Sequence, residues 1–422
     1  MKTDLLYFMP MSTLTLKIER PAFGGAFIAR HDGKIVMVQG PTAPGERVEA
    51  TLEHEKRDYL TATVSKIIEP HPERIDPPCP YFGICGGCTF QHIPYPLQVQ
   101  IKEEILRDCF RRLTKTEISL SAPLISDDPW NYRLRMQFKV SPEGIGQHKK
   151  GTNEIINIDR CLIMHEDINE FLGKSRDILK GTRLKELHIT AGDSLTALVI
   201  TRQKALRPPR NNAFASALIE QGISGVIIKR GELAPDTYGT PYVTLDLLGL
   251  HYTVSPPSFL QVNWKLNQKV AALIKDHLQP LKGKKILDLY AGAGNFSLPL
   301  ADSAQVTAVE GSPHAAEDGA RNIELNRIEN LNFVRSSAEK FKSSEGFDIV
   351  IIDPPRPGLS RKAMKNLQRI QPERIVYVSC NPATMARDLR NLSDLYQLDS
   401  IRMIDFFPQT FHIESLAFLS LR

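Results

Sequence analysis

The chain has 422 residues, of which 42% are hydrophobic and 24% charged: a length for two or three domains and a composition ordinary for a globular protein. No apolar run approaches the roughly 20 residues that span a bilayer, and the apolar patch Leu5-Leu6-Tyr7-Phe8-Met9 is too short for a secretory h-region, so a cytoplasmic protein is expected. The net charge of +5 permits an anionic partner without demanding one; Lys149-Lys150, Arg107 with Arg111-Arg112, and the run from Arg202 to Arg210 are candidate phosphate contacts or plain solvated surface.

Leu14 to Glu69 reads as all-β. Alternating segments such as Thr13 to Ile18 and Lys34 to Val38 are separated by turn residues at Gly24-Gly25, Asp32-Gly33 and Pro44-Gly45. Five short strands without a helix predict a small barrel of the OB type, a shape that either binds single-stranded nucleic acid or only packs. A loop rich in proline and glycine follows, from Pro70 to Gly87; it carries Cys79 and Cys85, and Cys88 comes directly after it. Without an export signal, disulfides are disfavoured, and three of the six cysteines crowded together point to a metal site. Pro96 to Arg112 has Leu97, Ile101, Ile105 and Leu106 on one stripe and predicts a helix; Cys109 shares that face and reads as a small buried hydrophobe.

From Trp130 to about Thr253 strands and helices mix, with strands expected over Tyr132 to Val140, Glu186 to Thr190 and Leu195 to Thr201. Beyond Leu281 the pattern becomes strand, turn, helix, repeated. Ile286 to Leu289, Gln305 to Val309, Ile349 to Ile352 and Ile375 to Val378 are short apolar runs suited to burial on both faces, as in a doubly wound α/β sheet.

The first of these strands runs into Ala291-Gly292-Ala293-Gly294-Asn295-Phe296, and Glu310 ends the next, where a carboxylate can take both hydroxyls of a ribose. A lone GxG turn is a weak signal. The dinucleotide fingerprint would have a third glycine where Ser297 stands, and Asp288 would repel a pyrophosphate yet suits the cationic amino-acid end of S-adenosylmethionine. The methyl donor is therefore favoured over NAD.

Two later strands end in Asp353-Pro354-Pro355-Arg356 and Ser379-Cys380-Asn381-Pro382, which places Asp353 and Cys380 at the ligand-binding edge. A cysteine at a strand end is usually a buried hydrophobe. Beside a methyl donor, however, a thiol has a chemical use. Uracil C5 is too weak a nucleophile to attack a methylsulfonium, and thiolate addition at C6 turns C5 into an enolate carbon that can. A base must then remove the C5 proton, and Glu414, in Phe411-His412-Ile413-Glu414-Ser415, is the candidate; otherwise it is a surface glutamate.

Taken together, these motifs resemble the RNA 5-methyluridine methyltransferase family, in its iron–sulfur branch that modifies bacterial 23S ribosomal RNA. The likeness spans nearly the whole chain. The N-terminal barrel looks like a TRAM domain, and Ser258 to Asn263, Asp288 to Phe296, Asp353 to Arg356, Ser379 to Pro382 and His412 to Ser415 match the catalytic motifs in order. The resemblance implies Cys380 as nucleophile and Glu414 as general base. It implies S-adenosylmethionine contacts at Gln261, Tyr290, Asn295, Glu310, Ser337 and Asp353, the place of Ser337 being asparagine in some members. Phe259 and Gln261 would help hold an extruded uracil.

Cys79, Cys85 and Cys88, with distant Cys161, match the family's [4Fe–4S] ligand set. Four thiolates by themselves suit zinc equally well, and the family pattern favours the cluster in an architectural role. The spacing differs from CxxxCxxC, which speaks against radical chemistry. The implied architecture is a multidomain α/β protein: a TRAM-like OB barrel over residues 1–72, an α+β iron–sulfur domain over 73–92 and 124–255, and a Rossmann-like methyltransferase domain over 93–123 and 256–422. The expected partner of this monomer is RNA, 23S rRNA first and transfer RNA as the alternative, with the target uridine in a loop. An RNA amino-group methyltransferase would use Asp353 and leave Cys380 idle, and would carry an aromatic residue where Arg356 stands. A non-catalytic RNA-binding protein would have no need of intact Asn295, Glu310, Asp353, Cys380 and Glu414.

Overall fold

The computed structural model describes residues 12–141, 144–179, 181–182, 184–201 and 210–422; the apolar N-terminal patch and Arg202 to Pro209 of the basic run lie outside them. Two compact units emerge: Met1–Ile105 with Gln409–His412, and Leu106–Pro408 with Ile413–Arg422.

In the first unit β1 (Thr13–Lys17), β2 (Arg20–Pro21), β3 (Phe27–His31), β4 (Lys34–Gln39), β5 (Arg47–Glu55) and β6 (Tyr59–Glu69) form one sheet in the order β1-β5-β6-β4-β3-β2. Val36, Val38, Val48, Ala50, Leu60 and Ala62 alternate inward and are buried. Three register shifts between β5 and β6 bend these two long strands, as bulges do where a sheet must curl. The expected barrel is thus present, with one very short strand, β2, beyond the five expected. Gly25 has a φ of 84°, and a Cβ there would stand 2.7 Å from the Phe411 ring, so only glycine suits this turn. Glu46 is fully buried at the foot of the barrel. It accepts from the Thr42 hydroxyl (2.9 Å), the N–H groups of Ala43 (2.9 Å) and His71 (3.0 Å), and the Arg74 guanidinium (2.7 Å).

Helix α1 spans Tyr95–Thr114, two residues past its expected end, with Ile101, Ile105, Leu106 and Cys109 buried. The second unit holds two large sheets. The central one combines β7 (Arg135–Ser141), β8 (Gly144–His148), β9 (Ile155–Asn157), β10 (Leu184–Ala191), β11 (Leu195–Thr201), β12 (Ile223–Arg230) and β13 (Asp236–Gly239) in the order β13-β12-β11-β10-β7-β8-β9. Helices α2 (Glu166–Leu179) and α3 (Arg210–Glu220) pack on it, over Phe138, Leu187, Ile189, Val199, Val226 and Ile228. A hairpin of β14 (Val243–Leu247) and β15 (Leu250–Val254) leads on to α4 (Trp264–His277).

The last sheet holds β16 (Lys285–Leu289), β17 (Gln305–Glu310), β18 (Leu331–Arg335), β19 (Ile349–Ile352), β20 (Arg374–Ser379), β21 (Tyr396–Ile404) and β22 (Glu414–Leu421), ordered β18-β17-β16-β19-β20-β22-β21. The first five are parallel and β22 is antiparallel between β20 and β21. The connecting helices are α5 (Ser297–Leu300), α6 (Pro313–Asn326), α7 (Arg361–Ile370) and α8 (Pro382–Leu392). The order reverses at β16, which makes its carboxyl end the switch point where doubly wound sheets bind ligands. The backbone of 121–124 runs along β21, with Ser121 N–H donating to Ile401 O (2.8 Å) and Leu124 N–H to Met403 O (2.9 Å). Among the described residues no helix is long and apolar enough to cross a membrane.

Candidate active site

The parallel register aligns Leu289 with Val309 and Ile352, so Tyr290, Glu310 and Asp353 leave the sheet at one edge. Tyr290 sits in the left-handed region (φ 65°), and its N–H and that of Ala291 both donate to Val309 O, at 3.0 and 3.2 Å. Gly292 and Gly294 also have positive φ. The turn so formed aims Gly292 N–H at Glu310 Oε2 (2.9 Å), while Ser312 N–H, at the start of α6, takes Oε1 (2.6 Å). Asn295 is fixed by reciprocal amide bonds with Asn267 of α4, at 2.7 and 3.0 Å.

Ser297 uses its hydroxyl on Asp288 Oδ2. The other oxygen, Asp288 Oδ1, is buried and has no partner among the described residues. Burial pushes the Asp288 carboxyl up to about 7; the Ser297 hydroxyl opposes this, and repulsion from Asp353 and Glu310 adds to it. Burial lifts Asp353 to about 7 as well. Three carboxyl groups therefore surround a glycine turn, one with an orphaned oxygen. Such a cleft suits a ligand that brings a positive charge and ribose-like hydroxyls, and repels a pyrophosphate. The residues present fit S-adenosylmethionine.

Ser337 follows β18 and lies against Gly311, just past Glu310. It bonds to Glu339, whose carboxylate also accepts from Ser360 (3.1 Å) and, at 3.5 Å, from the Tyr290 hydroxyl. Gln261 is buried, whereas Phe259, two residues before it, is 65% exposed.

Antiparallel pairing of β20 with β22 sets Ser379 opposite Ser415, so Cys380 and Glu414 are brought side by side at the sheet's edge. Burial raises the Cys380 thiol to about 11; the Glu414 and Asp353 carboxyls add to the rise and Arg356 pulls it down. Glu414 is itself lifted well above the usual carboxylate range, by burial first and by Asp353 second, against the pull of Arg356. Asn381 caps α8 through its Oδ1 and donates to Arg356 O (3.1 Å). Asp388 accepts from Tyr377 (2.7 Å) and from Leu359 N–H (2.8 Å), and Arg387 donates to Pro357 O (2.8 Å). These bonds tie the loop of Asp353 and Arg356 to the strand and helix that carry Cys380. The result is a thiol, two proton-accepting carboxyls and a guanidinium beside a cation-seeking cleft.

In the first unit Cys79, Cys85 and Cys88 are half-buried in one loop. Gly87 N–H donates to Cys85 Sγ (3.4 Å). Burial raises the Cys85 thiol; Gly87 opposes it and nearby Cys79 adds to it. Soft sulfur donors with an N–H on one of them suit a thiophilic metal in chemistry. Among the described residues, however, no three His, Cys, Asp or Glu side chains are grouped to hold an ion. Cys161 is in the second unit, its N–H and C=O both engaged by the Asn169 amide, at 2.9 and 3.1 Å.

Sequence reasoning missed Arg135, Asp318, Glu339 and Asp388. A signal existed for Asp318: the buried face of α6 is Ala315, Asp318, Gly319 and Asn322, polar residues at helical spacing among small ones. None existed for Glu339, which lies in a loop.

A family model described as tRNA (Uracil-5-)-methyltransferase matches residues 94–346 and 342–422, and a TRAM domain model matches residues 8–65. A protein of Aquifex aeolicus named uncharacterized RNA methyltransferase is 33% identical, over 97% of this chain and 99% of that protein. The 23S rRNA (uracil(1939)-C(5))-methyltransferase RlmD of Shewanella amazonensis is also 33% identical, over 97% of this chain and 96% of its own. Among solved structures, the Pyrococcus abyssi tRNA (uracil-54, C5)-methyltransferase in complex with S-adenosyl-L-homocysteine is similar with a TM-score of 0.73 and 26% identity. That match covers 96% of this chain and 100% of the other.

Proposed function

The chain belongs to the tRNA (uracil-5-)-methyltransferase family and carries a TRAM domain, and from that premise we propose that it methylates a uracil of 23S ribosomal RNA, with Cys380 as nucleophile and Glu414 as base. The reaction class, S-adenosylmethionine-dependent methylation of uracil C5 in RNA, is that of the family. The ribosomal substrate is supported by relatives of that name, aligned end to end at 33% identity. The pairing of β20 with β22, which sets Cys380 beside Glu414 with Asp353 close to both, carries the residue roles.

S-adenosylmethionine supplies the electrophilic methyl group. Gln261, Tyr290, Asn295, Glu310, Ser337 and Asp353 would hold it, with Glu310 offering its remaining lone pairs to the ribose and Asp288 Oδ1 facing the cationic end. Cys380 gives up its proton to solvent, the thiolate Sγ bonds to uracil C6, and the C5–C6 π electrons move toward O4. C5 then takes the methyl group, and the electron pair of the broken S–CH3 bond stays on sulfur, so that S-adenosylhomocysteine leaves as a neutral thioether. Glu414 removes the C5 proton, the π bond re-forms, and the C6–Sγ bond breaks. A base whose proton affinity is raised by burial suits the removal of a carbon-bound proton. Phe259 and Gln261 would hold the extruded base. Amino-group methylation would leave Cys380 and Glu414 without a role.

The four cysteines Cys79, Cys85, Cys88 and Cys161 are assigned to one [4Fe–4S] cluster with an architectural role, supported by the sequence pattern and the sulfur chemistry of the first three. The three-part division, with 93–123 joined to the methyltransferase domain, is supported by the bonds of 121–124 to β21. A cytoplasmic monomer acting on an unpaired uridine completes the reading. The test is methyl transfer from labelled S-adenosylmethionine to 23S rRNA and to tRNA transcripts. Label in tRNA alone would overturn the ribosomal assignment. Anaerobically purified protein should contain iron and sulfide, about four of each per chain; stoichiometric zinc without sulfide would overturn the cluster.

A further inference from the structure

Phe259 has the largest exposed fraction among the exposed large hydrophobic side chains described, and it sits on the segment that leads to buried Gln261. An exposed phenylalanine on a slack loop would collapse onto the nearest apolar surface. This one follows a turn, Ser255-Pro256-Pro257-Ser258, that is gripped on both sides. From α6, Asp318 accepts from Ser255 N–H (2.9 Å), the Ser255 hydroxyl (2.7 Å) and the Ser258 hydroxyl (2.5 Å), all on Oδ2. Its Oδ1 takes the Arg321 guanidinium (2.6 Å). From the central sheet, Arg135 of β7 donates to the carbonyls of Ser255 (3.1 Å) and Ser258, and its Nε to the Thr190 hydroxyl (2.8 Å). Both Asp318 and Arg135 are buried. The prolines between the two serines stiffen the backbone further.

Buried charges are costly unless well bonded. Here an anion takes the turn's donors and a cation takes its acceptors, so the turn itself completes the bonding of both. The same carboxylate lies on α6, whose N-cap Ser312 donates its N–H to Glu310.

We infer that Asp318 and Arg135 are positioning residues which clamp the turn 255–258 from opposite sides and so hold Phe259 out toward the RNA base. The clamp acts through Phe259 and touches no reacting atom. The inference rests on the role given above to Phe259.

The test is a double-mutant cycle between Ser258→Ala and Phe259→Ala, read as kcat and KM for RNA, KM for S-adenosylmethionine and binding of S-adenosylhomocysteine. Ser258→Ala removes one hydroxyl from Asp318 and is the mild variant. Loss of one such bond should raise KM for RNA by about fivefold, with affinity for S-adenosylhomocysteine unchanged. In the Phe259→Ala background the same change should have almost no effect, because a side chain that is gone cannot be misplaced. Asp318→Asn should act in the same direction and more strongly, and near-ultraviolet circular dichroism will verify that it folds; if it does not, Ser255→Ala takes its place. Equal effects of Ser258→Ala in both backgrounds would overturn the clamp alone and leave Phe259 its role. A Phe259→Ala enzyme with wild-type KM for RNA would overturn both.

Discussion

Glu46 in the barrel unit and Glu414 in the methyltransferase sheet are both buried carboxyls, and they are treated in opposite ways. Burial pushes Glu46 up, but the His71 N–H, Arg74 and the Thr42 hydroxyl outweigh it, and its proton affinity ends below the usual value. Glu414 is raised instead: burial is compounded by Asp353, and Arg356 only partly offsets them. Asp288 resembles Glu414, with one oxygen orphaned. A carboxylate whose lone pairs are all claimed by the protein can only hold structure. One that the fold strips of water and leaves short of partners is available to a ligand or a proton. The barrel's carboxylate is an anchor, and those at the sheet edge are left available for the roles proposed for them, as tools.

Removing the tool that has no substitute should have the largest effect. Cys380→Ala should bind RNA and donor yet lose turnover by about 10⁴-fold or more, measured as label incorporated into RNA. Retained turnover would move Cys380 from the tools to the packing.

Glu414→Gln should lower turnover by about 10²–10⁴-fold and, unlike Cys380→Ala, accumulate a covalent protein–RNA adduct that already carries the methyl group. Denaturing electrophoresis with labelled donor would detect it, and it should vanish in the double variant with Cys380→Ala. An adduct without the methyl group would place Glu414 before methyl transfer and break its assignment as the C5 base.

Glu46→Gln sharpens the contrast from the other side. Breaking a buried, fully bonded ion pair should cost on the order of 3 kcal/mol of stability, seen in thermal or urea unfolding, while kcat at saturating RNA stays near wild type. A large loss of kcat without loss of stability would make Glu46 a tool after all.

The smallest effect is expected at Asp288. Its carboxyl is raised from 3.8 to about 7 in the folded state, so it binds its proton more tightly folded than unfolded. The stability this contributes is fully present below pH about 4 and is lost as pH rises through about 7. Asp288→Asn removes that dependence and should make the ligand-free protein more stable above neutral pH, by on the order of 1 kcal/mol. Its affinity for S-adenosylhomocysteine should fall, because the charge proposed to face the ligand's ammonium group is gone. A variant both less stable at pH 8 and unimpaired in binding would place Asp288 with Glu46.

Legibility in the sequence divides along a similar line. Strands β16, β17, β19 and β20 could be read directly, because a strand buried on both faces is an unbroken apolar run. The glycine turn, Asp353 and Cys380 could be placed at the ligand edge because each directly follows such a run. Helix α1 was legible from its apolar stripe and differed from expectation by only one or two residues at each end. The barrel's alternation was visible, but not β2, since two residues carry no period. Arg202 to Pro209 of the basic run and the N-terminal patch lie outside the described residues. The small-residue face of α6 marked Asp318 as buried, but its pairing with Arg135 around Ser255 and Ser258 was invisible, because these residues are far apart in the chain.

The sequence by itself determined which chemistries were on hand: a thiol and a carboxyl at strand ends, a glycine turn with an acidic residue after the next strand, and thiols crowded in one loop. These are local patterns, and backbone preference and side-chain chemistry are local properties. Only the tertiary structure decided which groups meet. Cys380 and Glu414 become neighbours because β22 inserts antiparallel between β20 and β21, a choice made by pairing across the sheet. Proton affinities were decided there as well. Glu46 and Glu414 have the same side chain, and what separates them is how much water the surrounding fold removes and how many hydrogen bonds it returns.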